Sequence, residues 1–102
     1  MNVGLHTRLR PGMEDRYEEI HRAVWPEVLE RIHRAGITKY VIYRDGLDLF
    51  HHIECDDYDR AIAELSEDPI NQRWEATIAP MMEVTHDFSG ESSDRLPLIF
   101  EL

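Results

Sequence analysis

The 102-residue chain has one cysteine, Cys55, so it can form no internal disulfide. Basic residues are few: 11 Lys and Arg stand against 21 Asp and Glu, a formal net charge of −10. A field of that sign repels phosphate backbones and anionic lipid, which sets aside nucleic acid and membrane surfaces and favours a small neutral partner. No apolar run approaches the roughly 20 residues of a membrane span. The chain also opens without the basic and then apolar segments of a secretory signal, so a reducing cytoplasm is the expected compartment. No glycine-rich loop offers a phosphate cradle, and no HExxH occurs among the six histidines at 6, 21, 33, 51, 52 and 86. His51 and His52 are adjacent in a strand-like run and must face opposite sides. No metal site is expected, and surface or structural roles are expected for every histidine except His21.

What is present suffices for one domain over residues 1–102, since 42% hydrophobic content at this length buries a core without disulfide or metal. Residues 13–35 organise the chain. At about 100° per residue, Met13, Tyr17, Ile20, Val24, Val28 and Ala35 share roughly a quarter of a helix circumference, a core-facing stripe with His21 at its border. Tyr17, His21 and Trp25 recur one turn apart. Pro26 lacks the N–H owed to the Arg22 carbonyl and disfavours helix at Trp25, so the helix either kinks there or ends near Val24 and restarts at Pro26. A carbonyl freed in this way beside His21 is a candidate to select its tautomer.

The remaining elements follow in order. Residues 2–9 alternate Val3, Leu5, Thr7 and Leu9 with Gly4, His6 and Arg8, a half-buried strand. Gly36 is placed as a helix C-cap. Thr38–Tyr43 and Leu47–Glu54 are β-rich runs separated by a segment with Asp45-Gly46, a hairpin signal. Asp56 and Asp57 are caps for a helix over Tyr58–Leu65, and Asp68-Pro69 starts another through Trp74 to about Met82. Residues 87–95 read as a loop and Leu96–Leu102 as a last strand at a sheet edge. The order β, α, β, β, α, β is the split βαβ arrangement of an α+β ferredoxin-like sandwich, an antiparallel sheet with helices on one face. The uncovered face has apolar residues of its own, so a homodimer is expected.

The segment HRAVWPEVLERIHRAGITKYVIYRDGLDLFHHIE, followed after a short gap by NQRWE, resembles the L-rhamnose mutarotase family. The signature Tyr-x3-His-x3-Trp-Pro-Glu, then Gly-x3-Tyr-x2-Tyr, carries the resemblance, which extends over nearly the whole chain. It implies a dimeric α+β barrel enzyme that interconverts the α and β anomers of a 6-deoxyhexose without cofactor or metal. It also implies that His21 is the proton donor, that Tyr17 and Tyr40 bind sugar, and that a tryptophan pair after an arginine lines the site. Here that pair is Trp74-Glu75. Glu75 is a hydroxyl acceptor or base if it points inward and surface charge if it points outward, which leaves L-fucose open as an alternative to L-rhamnose.

The residue types suit this chemistry. Opening a hemiacetal needs a proton at the ring oxygen and the loss of one from the anomeric hydroxyl, a task for a group titrating near neutrality. Tyr17 and Tyr40 can hold hydroxyls, and Trp74 can stack on a C–H face. Two other readings share the fold: a cofactor-independent monooxygenase or decarboxylase of dimeric α+β barrel type, which would want a drier pocket, and a non-catalytic ligand-binding module.

Overall fold

Strand β1 (Asn2–Leu9) lies in the interior of the sheet and buries Val3, Leu5, Thr7 and Leu9 on one face, the alternation read from the sequence. The computed structural model describes residues 1–102. Trp-Pro breaks the following helix rather than bending it. α1 (Glu14–His21) stops at His21, Trp25 is extended at φ −57° and ψ 130°, and Pro26 takes the first position of α2 (Pro26–Arg34). Tyr17, Val28 and Ala35 of the stripe are buried, with Met13, Ile20 and Val24 packed beside Tyr17 and Val28. Gly36, at φ +94°, ends the pair as expected, its N–H donating to the His33 carbonyl at 3.0 Å.

β2 (Ile37–Asp45) and β3 (Asp48–Cys55) form the hairpin, and the register pairs Asp45 with Asp48. The two-residue turn is therefore Gly46-Leu47, with φ +62° at Gly46, a first central position suited to glycine. α3 (Tyr58–Glu67) is capped by Asp57, which accepts the Arg60 N–H at 3.1 Å. α4 (Pro69–Ile78) is capped by Asp68, which accepts from Ile70 and Asn71 at 2.9 and 3.2 Å. The second carboxyl oxygen of Asp68 meets Arg31 Nε at 2.9 Å and ties α4 to α2.

The chain's end departs from the sequence reading. α4 does not reach Met82: it gives way to a 3-10 turn at Ala79–Met81 containing Pro80, and Met82–Val84 is β4. The run Leu96–Leu102 is not the fourth strand. Only Arg95–Leu96 pairs, as a two-residue β5, because Pro97 has no N–H with which to extend the ladder. Residues 97–102 lie exposed, Ile99 at 89%.

The sheet is antiparallel with order β2-β3-β1-β4, the ferredoxin-like α+β order. β4 pairs with Arg8 and Leu9, whereas β5 pairs with Gly4 and Leu5. Since β3 occupies the other side of β1, one edge is covered by a strand in two pieces, interrupted by residues 85–94. The face carrying Leu5, Leu49 and Ile53 is buried, and the opposite face carries Val41, Tyr43 and Phe50, the last two at 65% and 39% exposure. No helix is long and apolar enough to cross a membrane.

Candidate active site

A cavity of about 790 Å³ opens on the helix-covered face of the sheet. Tyr17 and His21 reach it from α1, Tyr40 from β2, and Trp74 and Glu75 from α4, so all five residues singled out from the sequence share one cavity. His51 of β3, with His86 and Phe88 of the 85–94 segment, completes the polar and aromatic part of its wall. No three His, Cys, Asp or Glu side chains converge as a metal site.

His21 occupies the last position of α1, where its ring turns back along the helix. Nδ1 lies 2.8 Å from the Tyr17 carbonyl oxygen, and a carbonyl only accepts, so Nδ1 carries the proton and Nε2 is left with a lone pair. The tautomer is selected by Tyr17, within α1, and not by the Arg22 carbonyl that Pro26 deprives of its partner. The imidazole lies against the Tyr17 ring at 4.1 Å between centroids and meets the Trp74 ring edge-on at 5.6 Å. Trp25 in turn meets Trp74 edge-on at 5.1 Å. Burial lowers the pKa of His21 below its usual value, and the bond to Tyr17 partly offsets this.

Tyr40 reaches His51 from the neighbouring strand, its hydroxyl 3.0 Å from Nδ1, and His51 Nε2 lies 2.9 Å from Thr7 Oγ1. Burial pushes His51 down to about 3, so the ring is neutral. Tyr17 and Tyr40 are held well above the ordinary phenol value by burial first and then by the charge of Glu75, so both keep their protons. Glu75 points inward. Burial, with no hydrogen bond or cation to offset it, pushes its carboxyl up to about 7.

Sequence reasoning did not place His51 and His86 at the cavity. His51 shares strand parity with the buried Leu49 and Ile53, a usable signal; its neighbour His52 faces the other way and bonds Asn2. His86 sits in a short irregular segment with no periodicity to reveal it. Its ring, with the side chain 9% exposed, lies 6.1 Å from that of His51 and 4.2 Å from that of Phe88 between centroids, and its Nε2 lies 3.2 Å from the Tyr58 hydroxyl and 3.5 Å from Asp94. Burial lowers its pKa, against the pull of Asp94. Asp87 holds the segment in shape by accepting from the backbone and hydroxyl groups of both Ser89 and Ser93.

A neutral imidazole with its lone pair fixed, beside a carboxyl that titrates near 7 and phenols that stay protonated, is equipped to move single protons on a hydroxylated ligand. On this fold such a set of groups is the equipment of an acid–base enzyme. Comparison with known proteins gives the family. The family model described as L-rhamnose mutarotase matches residues 2–102. An L-rhamnose mutarotase of Burkholderia orbicola is 36% identical over 83 residues, 78% of each chain, and one of Rhizobium etli is 32% identical over 92 residues, 89% of this chain and 87% of that one. The chain belongs to the L-rhamnose mutarotase family.

Solved structures agree on the fold. The L-rhamnose mutarotase FA22100 from Formosa agariphila superposes with a TM-score of 0.81 at 24% identity, covering 100% of this chain and 98% of that one. Tetracenomycin F2 cyclase from Streptomyces glaucescens, a type-II polyketide cyclase, gives 0.68 at 14%, covering 100% and 96%.

Proposed function

We propose that the cavity binds L-rhamnose and interconverts its α and β anomers, with His21 moving the proton. The observation that carries this reading is the bond from His21 Nδ1 to the Tyr17 carbonyl, which leaves Nε2 as the ring's available acceptor. Ring opening removes the proton from the anomeric hydroxyl and delivers one to the ring oxygen as the bond from C1 to that oxygen breaks, leaving an aldehyde at C1. Closure on the opposite face of the carbonyl reverses both transfers and yields the other anomer. Neutral His21 takes a proton on Nε2, and the imidazolium so formed is the donor.

Tyr17 and Tyr40 hold sugar hydroxyls, and Trp74 offers its indole to the C–H face of the ring. Glu75 binds a further hydroxyl and, when protonated, can give it a hydrogen bond. The reading extends to a single cytoplasmic domain that works as a homodimer through the open sheet face. Exposed Tyr43 and Phe50 support the dimer, and the lone, buried Cys55 is consistent with a reducing compartment.

Saturation-transfer NMR on the anomeric protons of L-rhamnose and L-fucose tests the reading. Wild type should accelerate exchange, fastest for L-rhamnose, and His21→Ala should not. No acceleration of either sugar by wild type would refute it.

A further inference from the structure

Thr7, His51 and Tyr40 lie on three adjacent strands, β1, β3 and β2, and share the helix-covered face. Their side chains form a line: Thr7 Oγ1 to His51 Nε2 at 2.9 Å, then His51 Nδ1 to the Tyr40 hydroxyl at 3.0 Å. Thr7 is fully buried and His51 nearly so. Three protons must be placed: the Thr7 hydroxyl proton, the single ring proton of His51 and the Tyr40 phenol proton.

Two arrangements fit the distances. In the first, Nε2–H points at Thr7 and the phenol donates to Nδ1. The Thr7 hydroxyl proton is then buried with no acceptor, because His51 is the side chain's sole hydrogen-bond partner. In the second, the Thr7 hydroxyl donates to Nε2, Nδ1–H donates to the Tyr40 oxygen, and the Tyr40 proton turns to the cavity. The first strands its donor on Thr7, which is 0% exposed, whereas the second leaves it on Tyr40, which is partly exposed at the cavity wall where a ligand or solvent can accept; the unpaired buried donor is the costlier defect.

We propose that Thr7 and His51 are positioning residues which set the direction of this hydrogen-bond line and so fix Tyr40 as a donor to the ligand. The group meeting Tyr40 is then an acceptor oxygen, a ring or hydroxyl oxygen of a sugar. That half of the inference rests on the mutarotase reading. Burial supports the arrangement, because it keeps the His51 ring neutral with one proton and the Tyr40 phenol protonated. The line is built on strands rather than loops, which holds the donor direction rigid.

Long-range ¹H–¹⁵N correlation spectra of the labelled protein at pH 7 read the tautomer directly, with His51 identified by its loss in His51→Gln. Nδ1 should be protonated and Nε2 bare; a proton on Nε2 overturns the proposal. For the ligand half, His51→Leu removes the Nδ1–H that orients Tyr40 and should raise KM for L-rhamnose anomer exchange about tenfold with a smaller change in kcat, and His51→Gln, which keeps an N–H, should recover part of it. In a Tyr40→Phe background, His51→Leu should have no further effect on KM. A ring needed only for stability would lower Tm in His51→Leu and leave KM alone, which also overturns the proposal. If wild type exchanges no anomers, the mutarotase reading falls with the ligand half, while the tautomer still decides the direction of the line.

Discussion

His21 Nδ1 donates to the carbonyl oxygen of Tyr17, one turn earlier on the same helix, at 2.8 Å. The acceptor belongs to the backbone, so no side-chain substitution at Tyr17 removes it, and the orientation of the His21 imidazole is written into the helix itself. His21→Gln keeps a polar side chain and loses the titration. It should lower kcat by about 10²- to 10⁴-fold while changing sugar affinity only a few-fold, as read by saturation transfer and by titration with L-rhamnose. In wild type, burial lowers the His21 pKa, so protonation should cut the rate only below the ordinary imidazole value of 6.5.

Glu75 should make stability depend on pH in an unusual direction. Its folded-state value, about 7, lies above the ordinary 4.5. The folded protein therefore holds this proton more tightly than the unfolded chain, so the contribution is full below pH 4.5 and is lost as pH rises through 7. Glu75→Gln should leave stability near pH 4.5 little changed and raise it at pH 8 by on the order of 2 kcal/mol, measured by urea unfolding at the two pH values.

His51 works in the opposite sense. Its folded-state value, about 3, lies below the ordinary 6.5, so its contribution is full above 6.5 and is lost as pH falls toward 3. Wild type should lose a few kcal/mol between pH 6.5 and 4. His51→Gln, less stable at pH 7 because its partners are left unpaired, should show a shallower acid slope. His86, also lowered by burial, should account for part of what remains.

Asp68 joins two functions, capping α4 with one carboxyl oxygen and pairing with Arg31 through the other. Asp68→Ala should cost about 1–2 kcal/mol, or about 5–10 °C in Tm by calorimetry. Asp68→Asn keeps the cap and should recover more than half of the loss.

The open sheet face gives the assembly its test. Tyr43→Glu combined with Phe50→Glu places charge on the face proposed to meet a second copy. Sedimentation should show a dimer for wild type and a monomer for the double variant, with the far-UV spectrum unchanged. A monomeric wild type would remove the dimer.

Where chemistry was tied to regular periodicity, the sequence was legible. Alternation located β1, β-rich composition with Asp45-Gly46 located the β2–β3 hairpin, Asp57 and Asp68 announced their helices, and Tyr17, His21, Tyr40, Trp74 and Glu75 all reach one cavity. The C-terminal region was not legible. Three residues of β4 are too few to show alternation, and Leu96–Leu102 has strand composition but no ladder beyond Leu96. Composition reports what a segment would tolerate, whereas pairing depends on which edge is free. His86 was hidden for the same reason: a residue outside periodic structure is placed by tertiary contacts alone.

The interrupted edge of β1 separates scaffold from wall. Residues 85–94 leave the sheet after β4 and rejoin it at β5, held at both feet by ladder pairs to β1. Because closing a slightly longer or shorter loop between fixed feet changes the free energy little, this stretch can gain or lose residues without disturbing the strands. It also supplies His86 and Phe88 to the cavity. The molecule thus has an exchangeable panel: a place where an engineer can graft new lengths and side chains to reshape the chamber while Tyr17 and His21 on α1 stay untouched.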